Sequence, residues 1–191
     1  ELILASGSPR RRELLAAAGY EFRIISPEVE ELPPGAHPFR KLCAVNAALK
    51  AREVAEAYPE AVVLAADTMV GLDGEVLGKP SDLAEGRVML GKLSGRVHVV
   101  CTGVCVRQGD EEEAFFEVTW VKFHAYGAAV VEEYLGKVEV LDKAGAYAIQ
   151  ECGDLLVDRI EGEYENVVGL PVGRVVAELE RFGLRRGVGM G

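Results

Sequence analysis

The residues best suited to chemistry fall in four places. Asp67 ends a short apolar run, Ala61-Val-Val-Leu-Ala-Ala, and Lys79 follows it beyond the dipeptide Asp73-Gly74, just before Pro80. An acid and a base on either side of one tight turn could face a single cavity as a proton-transfer pair. Ser6-Gly-Ser-Pro-Arg-Arg-Arg12 puts three arginines where a helix would begin. Cations there oppose the helix dipole at a cost of about 0.3–1 kcal/mol each, so stability alone would favour Asp or Glu. A Ser/Gly turn, a helix N-terminus and guanidinium donors together suit an anion, although a solvated basic turn is the plainer alternative. At about 100° per residue the three arginines cannot all reach one ligand, so one should face water. Lys50 sits within about 60° of Phe39, Cys43, Ala47 and Val54 on a helical wheel, inside an apolar stripe, where a lysine must snorkel or meet an anion. Asn46 borders the same stripe. Glu31, in an acidic Pro-rich loop, reads on its own as a solvated charge. Cations for phosphates and one or two carboxylates for a divalent metal ion are what phosphoryl chemistry requires.

Other chemistries lack their signatures. There is no G-x-x-x-x-G-K-[ST] and no G-x-G-x-x-G, and no Ser-His-Asp or Cys-His arrangement suggests itself. His98 and His124 have no ligand spacing and read as structural. The net charge of −10 argues against wrapping nucleic acid along its backbone, though a local basic pocket could still take one nucleotide. No apolar run approaches the roughly 20 residues of a membrane span, and Leu2–Ala5 is too short for a signal-peptide core, so a soluble protein is expected. The chain starts at Glu1, so its initiator Met is expected to be missing. Cys43, Cys101, Cys105 and Cys152 form no C-x-x-C pair, and buried free thiols are a better reading than metal ligands.

These residues need elements to position them. A length of 191 residues suits one large domain or two small lobes. Leu2–Ala5 reads as a strand. A helix follows, capped by Ser8, with Pro9 at its first position and Gly19 beyond its end. Phe22–Ile25 reads as a second strand, and Phe39 to about Tyr58 as a long helix with Lys41, Ala48, Arg52 and Glu56 outward. Ala61–Ala66 reads as a strand buried on both faces, ending at Asp67. Met69–Leu72 and Glu75–Leu77 form a hairpin over Asp73-Gly74, a type I′ signal. Asp82 caps a helix of about ten residues, with Glu85 placed for a capping box. Val97–Arg107 and Ala114–His124 read as paired strands across an acidic turn, with Trp120 and the nearby Phe residues as core or lobe packing. Ala128–Leu135 reads as a helix. Leu141–Gln150 has no clean period and reads as a loop and strand. Leu155–Ile160 and Tyr164–Val168 read as a hairpin over Glu161-Gly162. A last helix has Pro171 at its first position, and Leu184–Gly191 reads as a frayed tail.

The chain also resembles a known family. Ser6-Gly-Ser-Pro-Arg-Arg11, Ala66-Asp67-Thr68, Gly78-Lys79-Pro80, Lys92-Leu-Ser-Gly95, Asp142-Lys-Ala-Gly-Ala-Tyr147 and Val168-Gly-Leu-Pro171 are similar to the motifs of the Maf nucleoside triphosphate pyrophosphatases, in the same order over nearly the whole chain. The resemblance implies an α/β fold with a mixed, strongly bent central sheet flanked by helices, one domain over residues 1–191 with two lobes and a cleft between them. It implies hydrolysis of the α–β phosphate bond with Mg²⁺ or Mn²⁺, giving a nucleoside monophosphate and pyrophosphate. It further implies a cytoplasmic house-cleaning role, a link to septum formation, and a homodimer as a family-level expectation. By motif, Asp67 resembles the proton acceptor. Arg10, Arg11 and Lys50 resemble the phosphate-binding residues, with Ser6 and Ser8 in the same turn. Glu31, Lys79 and Gln150 resemble the remaining site positions, and Glu31 with Asp67 would hold the metal. Arg10, Thr68 and Gln150 fit the dTTP/UTP subgroup, whereas Ala148 and Glu151 replace glycines of its motif. The alternative is a nucleotide-binding regulator of division with vestigial catalysis.

Overall fold

Leu2–Ala5 and Val62–Leu72 form strands β1 and β3. Both are apolar because their first-unit residues are covered on both faces. In the computed structural model, residues 1–187 are described. The remaining strands are β2 (Arg23–Ile24), β4 (Glu75–Leu77), β5 (Val97–Gln108), β6 (Glu111–Phe123) and β7 (Val157–Glu161). The helices are α1 (Pro9–Ala17), α2 (Phe39–Ala57), α3 (Leu83–Leu93), α4 (Ala128–Leu135), α5 (Tyr164–Val168) and α6 (Val172–Arg181). The strands make one seven-stranded sheet in the order β2-β1-β3-β5-β6-β7, with β4 on β3. It is mixed: β1 runs parallel to β2 and β3, while β4 is antiparallel to β3 and β7 to β6. This is the expected α/β class.

The chain divides into two units. One comprises Glu1–Asp67, Thr102–Glu117 and the chain from Gly169 on; the other comprises Thr68–Cys101 and Val118–Val168. In the first unit the period of two along each strand sorts side chains onto two faces. Leu2, Leu4, Leu64 and Val104 pack with Leu15 of α1 and with Val175 and Leu179 of α6. Ile3, Ala5, Val63, Ala65 and Cys105 pack with Ala47, Ala51 and Val54 of α2. Helix α2 lies very close to the strand below it. A Cβ on Gly103 would stand 2.1 Å from the Cys43 carbonyl carbon and 2.2 Å from Ala44 N. Only glycine permits that approach, which brings the polar residues of α2 down to the sheet. The second unit has its own core, including Val70, Leu90, Phe123, Tyr134 and Leu156.

Several expectations need correction. Asp67 does not end a strand: β3 continues through it to Leu72, because its first half pairs with β1 and its last residues pair with β4. The hairpin is as expected, with Asp73 and Gly74 both at positive φ (51° and 85°). The apolar face of α2 includes Ala48, read as outward, while Phe39 is only half-buried. Glu85 reaches back to Ser81 N–H and Oγ rather than to Asp82, whose carboxylate caps α3 through Glu85 N–H. The turn between β5 and β6 is shorter than read. Glu111 and Glu112 belong to β6, and the Glu112 carboxylate is held by Arg52 and Arg107. Phe115 and Phe123 are core, but Trp120 and Phe116 are exposed, since even positions of β6 point outward. Leu141–Gln150 contains no strand; a 3-10 turn covers Ala144–Ala146, fixed by Gly145 N–H on Gly78 C=O. Tyr164–Val168 is helix α5, not a strand. Its Asn166 is fully buried and donates to Val100 C=O and Thr119 Oγ1. Pro171 is the cap of α6 rather than its first residue. Leu184 and Gly187 are not frayed, since their N–H groups bond Leu179 C=O and Gly19 C=O; residues 188–191 of the expected tail lie outside the described residues. Cys43, Cys101 and Cys105 are buried free thiols as expected, and Cys152 is a half-buried one.

Candidate active site

Lys50 is the centre of the polar cluster in the first unit. Its Nζ lies 2.7 Å from Glu31 Oε1 and 2.9 Å from Asp67 Oδ1. The lysine side chain is 11% exposed and that of Asp67 8%, against 51% for Glu31. A stem running along an apolar helix face thus ends between two carboxylates, as a lysine inside an apolar stripe requires. Asp67 shares a sheet face with Val63 and Ala65, the face that α2 covers, which is why it meets a residue of α2. Its cationic partner is Lys50 of that helix.

The turn after β1 supplies the second half of the cluster. Ser6 Oγ accepts from Ser8 N–H at 3.2 Å and from Arg11 Nη1 at 3.2 Å. Ser8 caps α1 by accepting from Arg11 N–H at 3.5 Å. Arg11 Nε donates to Gly169 C=O at 2.9 Å, so two points fix the guanidinium plane. Burial pushes the Arg11 guanidinium below its ordinary value, and neighbouring Arg10 adds to the fall; Asp67 and Glu31 oppose it. Arg10 is half-buried and Arg12 exposed, so one of the three arginines does face water.

Ser6, Ser8, Arg10, Arg11, Glu31, Lys50 and Asp67 all belong to the first unit. Thr68, Lys79 and Gln150 belong to the second. There Thr68 is half-buried on β3, Lys79 is exposed past β4, and Gln150 is exposed in a turn after Ile149. The histidines are structural or superficial. His98 is buried, with Nε2 2.8 Å from Tyr147 Oη, and burial pushes its imidazole down to about 4. His124 is half exposed, 3.9 Å from Asp158. Glu151, at a glycine position of the resembling motif, has a physical partner: its Oε1 is 3.5 Å from Lys143 Nζ.

Two residues beside the cluster carried no role in the sequence: Asn46, noted only as bordering the Lys50 stripe, and Glu53. Asn46 is fully buried, with Oδ1 accepting from Leu32 N–H at 2.9 Å and Nδ2 donating to Leu32 C=O at 3.3 Å and to Asp67 Oδ2 at 3.5 Å. Glu53 Oε2 accepts from Glu28 and Val29 N–H at 2.9 and 3.1 Å. The signal that would have found them is spacing: positions 46, 50 and 53 recur at i, i+4 and i+7 on one side of a helix.

No group of three or more His, Cys, Asp and Glu side chains that could hold a metal ion occurs among the described residues. Two hard carboxylates converging on one cation are nevertheless the donor set Mg²⁺ or Mn²⁺ takes when substrate phosphates and water supply the remaining oxygens. No helix among the described residues is long and apolar enough to cross a membrane.

The fold and this cluster define an α/β protein with a small, charged anion-and-cation site. Its fold is that of the Staphylococcus aureus Ham1 protein, with a TM-score of 0.52 at 17% identity, over 93% of this chain and 98% of that one. Residues 1–182 match the Maf-like protein family, and the chain belongs to that family. It is 49% identical over 183 residues to a dTTP/UTP pyrophosphatase of Symbiobacterium thermophilum, covering 96% of this chain and 94% of the relative. A protein of the same name from Akkermansia muciniphila is 45% identical over 184 residues, covering 96% and 97%. Another from Dictyoglomus thermophilum is 44% identical over 186 residues, covering 96% of each.

Proposed function

We propose that this chain is a nucleoside triphosphate pyrophosphatase acting on dTTP and UTP in the cytoplasm. The observation that carries the reading is Lys50 Nζ set against both Glu31 and Asp67. The base preference is taken from the full-length relatives that bear the name dTTP/UTP pyrophosphatase.

Arg10, Arg11 and Lys50 bind the phosphate chain, as cations that spread the charge developing in the transition state. Ser6 and Ser8 act one step back from the anion by shaping the turn and aiming the Arg11 fork. Asp67 accepts the proton of the attacking water. The α–β anhydride bond breaks, leaving a nucleoside monophosphate and pyrophosphate. Glu31 and Asp67 would hold Mg²⁺ or Mn²⁺, which would supply positive charge to offset that of the phosphate oxygens. Lys50 leaves its two carboxylates to the cation and turns to the phosphate oxygens of the substrate. Thr68, Lys79 and Gln150 are assigned to the substrate by the family resemblance alone, Lys79 to the leaving phosphates and Gln150 to the nucleotide.

A panel of nucleoside triphosphates with Mn²⁺, read by product chromatography, tests the proposal. Monophosphate and pyrophosphate in equal amounts, fastest from dTTP and UTP, are expected. Orthophosphate as the first product would refute it, as would triphosphate binding without turnover.

A further inference from the structure

Glu31 sits in a stretch with no ladder of its own. Residues 26–33 carry no helix or strand and include Pro27 and Pro33. Such a segment takes a fixed path only if something else holds its backbone. Here the holders are side chains of α2. Upstream of Glu31, Glu53 Oε2 takes the N–H groups of Glu28 and Val29. Downstream, the Asn46 amide pairs with both backbone groups of Leu32, donating to its C=O and accepting from its N–H, as a neighbouring strand would. The same Asn46 Nδ2 also reaches Asp67 Oδ2 at 3.5 Å. Asn46 therefore touches one carboxylate directly and the residue next to the other. Lys50 lies between Asn46 and Glu53 on the helix and meets both acids.

We propose that Asn46 and Glu53 are positioning residues, a two-point clamp by which α2 holds the 28–32 segment so that Glu31 and Asp67 address one divalent cation. The proposal deepens the reading above, since it rests on assigning that cation to Glu31 and Asp67. The clamp explains how a half-exposed glutamate in an irregular loop acts as a ligand of defined position. It also explains the polar stripe on α2. Asn46 and Glu53 both hydrogen-bond to the loop, and Asn46 donates a further bond to Asp67.

The test compares Glu53→Ala, Glu53→Gln and Asn46→Ala with the wild-type chain. Mn²⁺ binding is measured without nucleotide by the electron paramagnetic resonance of free Mn²⁺, and kcat and KM are measured for UTP. Outer-shell partners of metal ligands typically matter about 10–100-fold. Glu53→Ala should weaken Mn²⁺ binding about fivefold and lower kcat about tenfold, with KM within about twofold, because the arginine turn is untouched. Glu53→Gln should restore both to within about twofold, since its amide oxygen still accepts the two N–H groups. Asn46→Ala should cost about tenfold in Mn²⁺ binding and about 100-fold in kcat. If its buried site fails to fold, as a melting curve will show, the Glu53 pair decides. Glu53→Ala indistinguishable from wild type, or not rescued by Gln, overturns the clamp. A wild-type chain that binds Mn²⁺ but releases no pyrophosphate refutes the proposed activity, while the Mn²⁺ comparison still decides the clamp.

Discussion

Each unit contains one lysine that is nearly buried and faces two acids, and the two clusters are built for different ends. Lys143, in the second unit, has a side chain only 6% exposed. Its Nζ meets Glu139 C=O at 2.5 Å, Asp142 Oδ1 at 2.8 Å and Glu151 Oε1 at 3.5 Å. All three partners come from the same short stretch of chain, and both carboxylates stand largely in water, 56% and 40% exposed. Lys50 takes no backbone carbonyl among the bonds described for it. Its acids come from a loop and from the middle of β3, and one of them, Asp67, is buried. Lys143 ties a loop to itself. Lys50 gathers charges that three elements bring in from distant parts of the chain. A buried lysine thus does not by itself mark a candidate site; the buried carboxylate opposite Lys50, with a second acid alongside, sets its cluster apart.

Replacing each lysine by methionine separates the two cases. Lys50→Met leaves Asp67 buried beside Glu31 without its ammonium, and breaking such a pair costs about 3 kcal/mol. UTP turnover should fall about 1000-fold as well, since a cation of the proposed phosphate site is gone. Lys143→Met should cost about 1–2 kcal/mol, because only the Glu139 carbonyl loses a partner away from full solvent, and turnover should stay within about threefold of wild type. Urea denaturation and steady-state rates on the same preparations check both. Equal losses of turnover would erase the distinction between the clusters.

A smaller effect concerns the core of the second unit. His98, beside Phe123 and Tyr147, is held neutral by burial, with its folded value about 4 against an ordinary 6.5. The unfolded chain takes up this proton first. The stability His98 contributes is therefore present above about pH 6.5 and is lost as pH falls toward 4, by up to about 3 kcal/mol. Urea midpoints measured from pH 7 to pH 4 should fall less for His98→Gln than for wild type. Parallel curves would show that His98 is not neutral in the folded state.

The site was legible where residues broke a local rule. Arginines at a helix start and a lysine in an apolar stripe each lower local stability, and both proved to lie at the cluster. Glu31 broke no rule. An acid in a Pro-rich loop is ordinary, so only the family resemblance singled it out, and only the side chains of α2 show how it is held. The strands were legible from their apolar runs and from Asp73-Gly74. In the chain from 141 to 168 only the strand read over 155–160, now β7, was legible. Ala146 adopts positive φ (61°), which no alanine announces, and Tyr164–Val168 reads as a Val-rich strand until Asn166 finds Val100 C=O and Thr119. Both outcomes depend on tertiary partners that a local pattern does not contain.

Asp67 bears the central claim most directly. Turnover of UTP and binding of UTP should be measured on one preparation of Asp67→Asn, which keeps the shape of the side chain and removes its ability to take a proton. Turnover at least about 100-fold below wild type, with nucleotide affinity within about threefold, is the predicted result. A rate within about tenfold of wild type would contradict the assignment of Asp67 as the group that activates water.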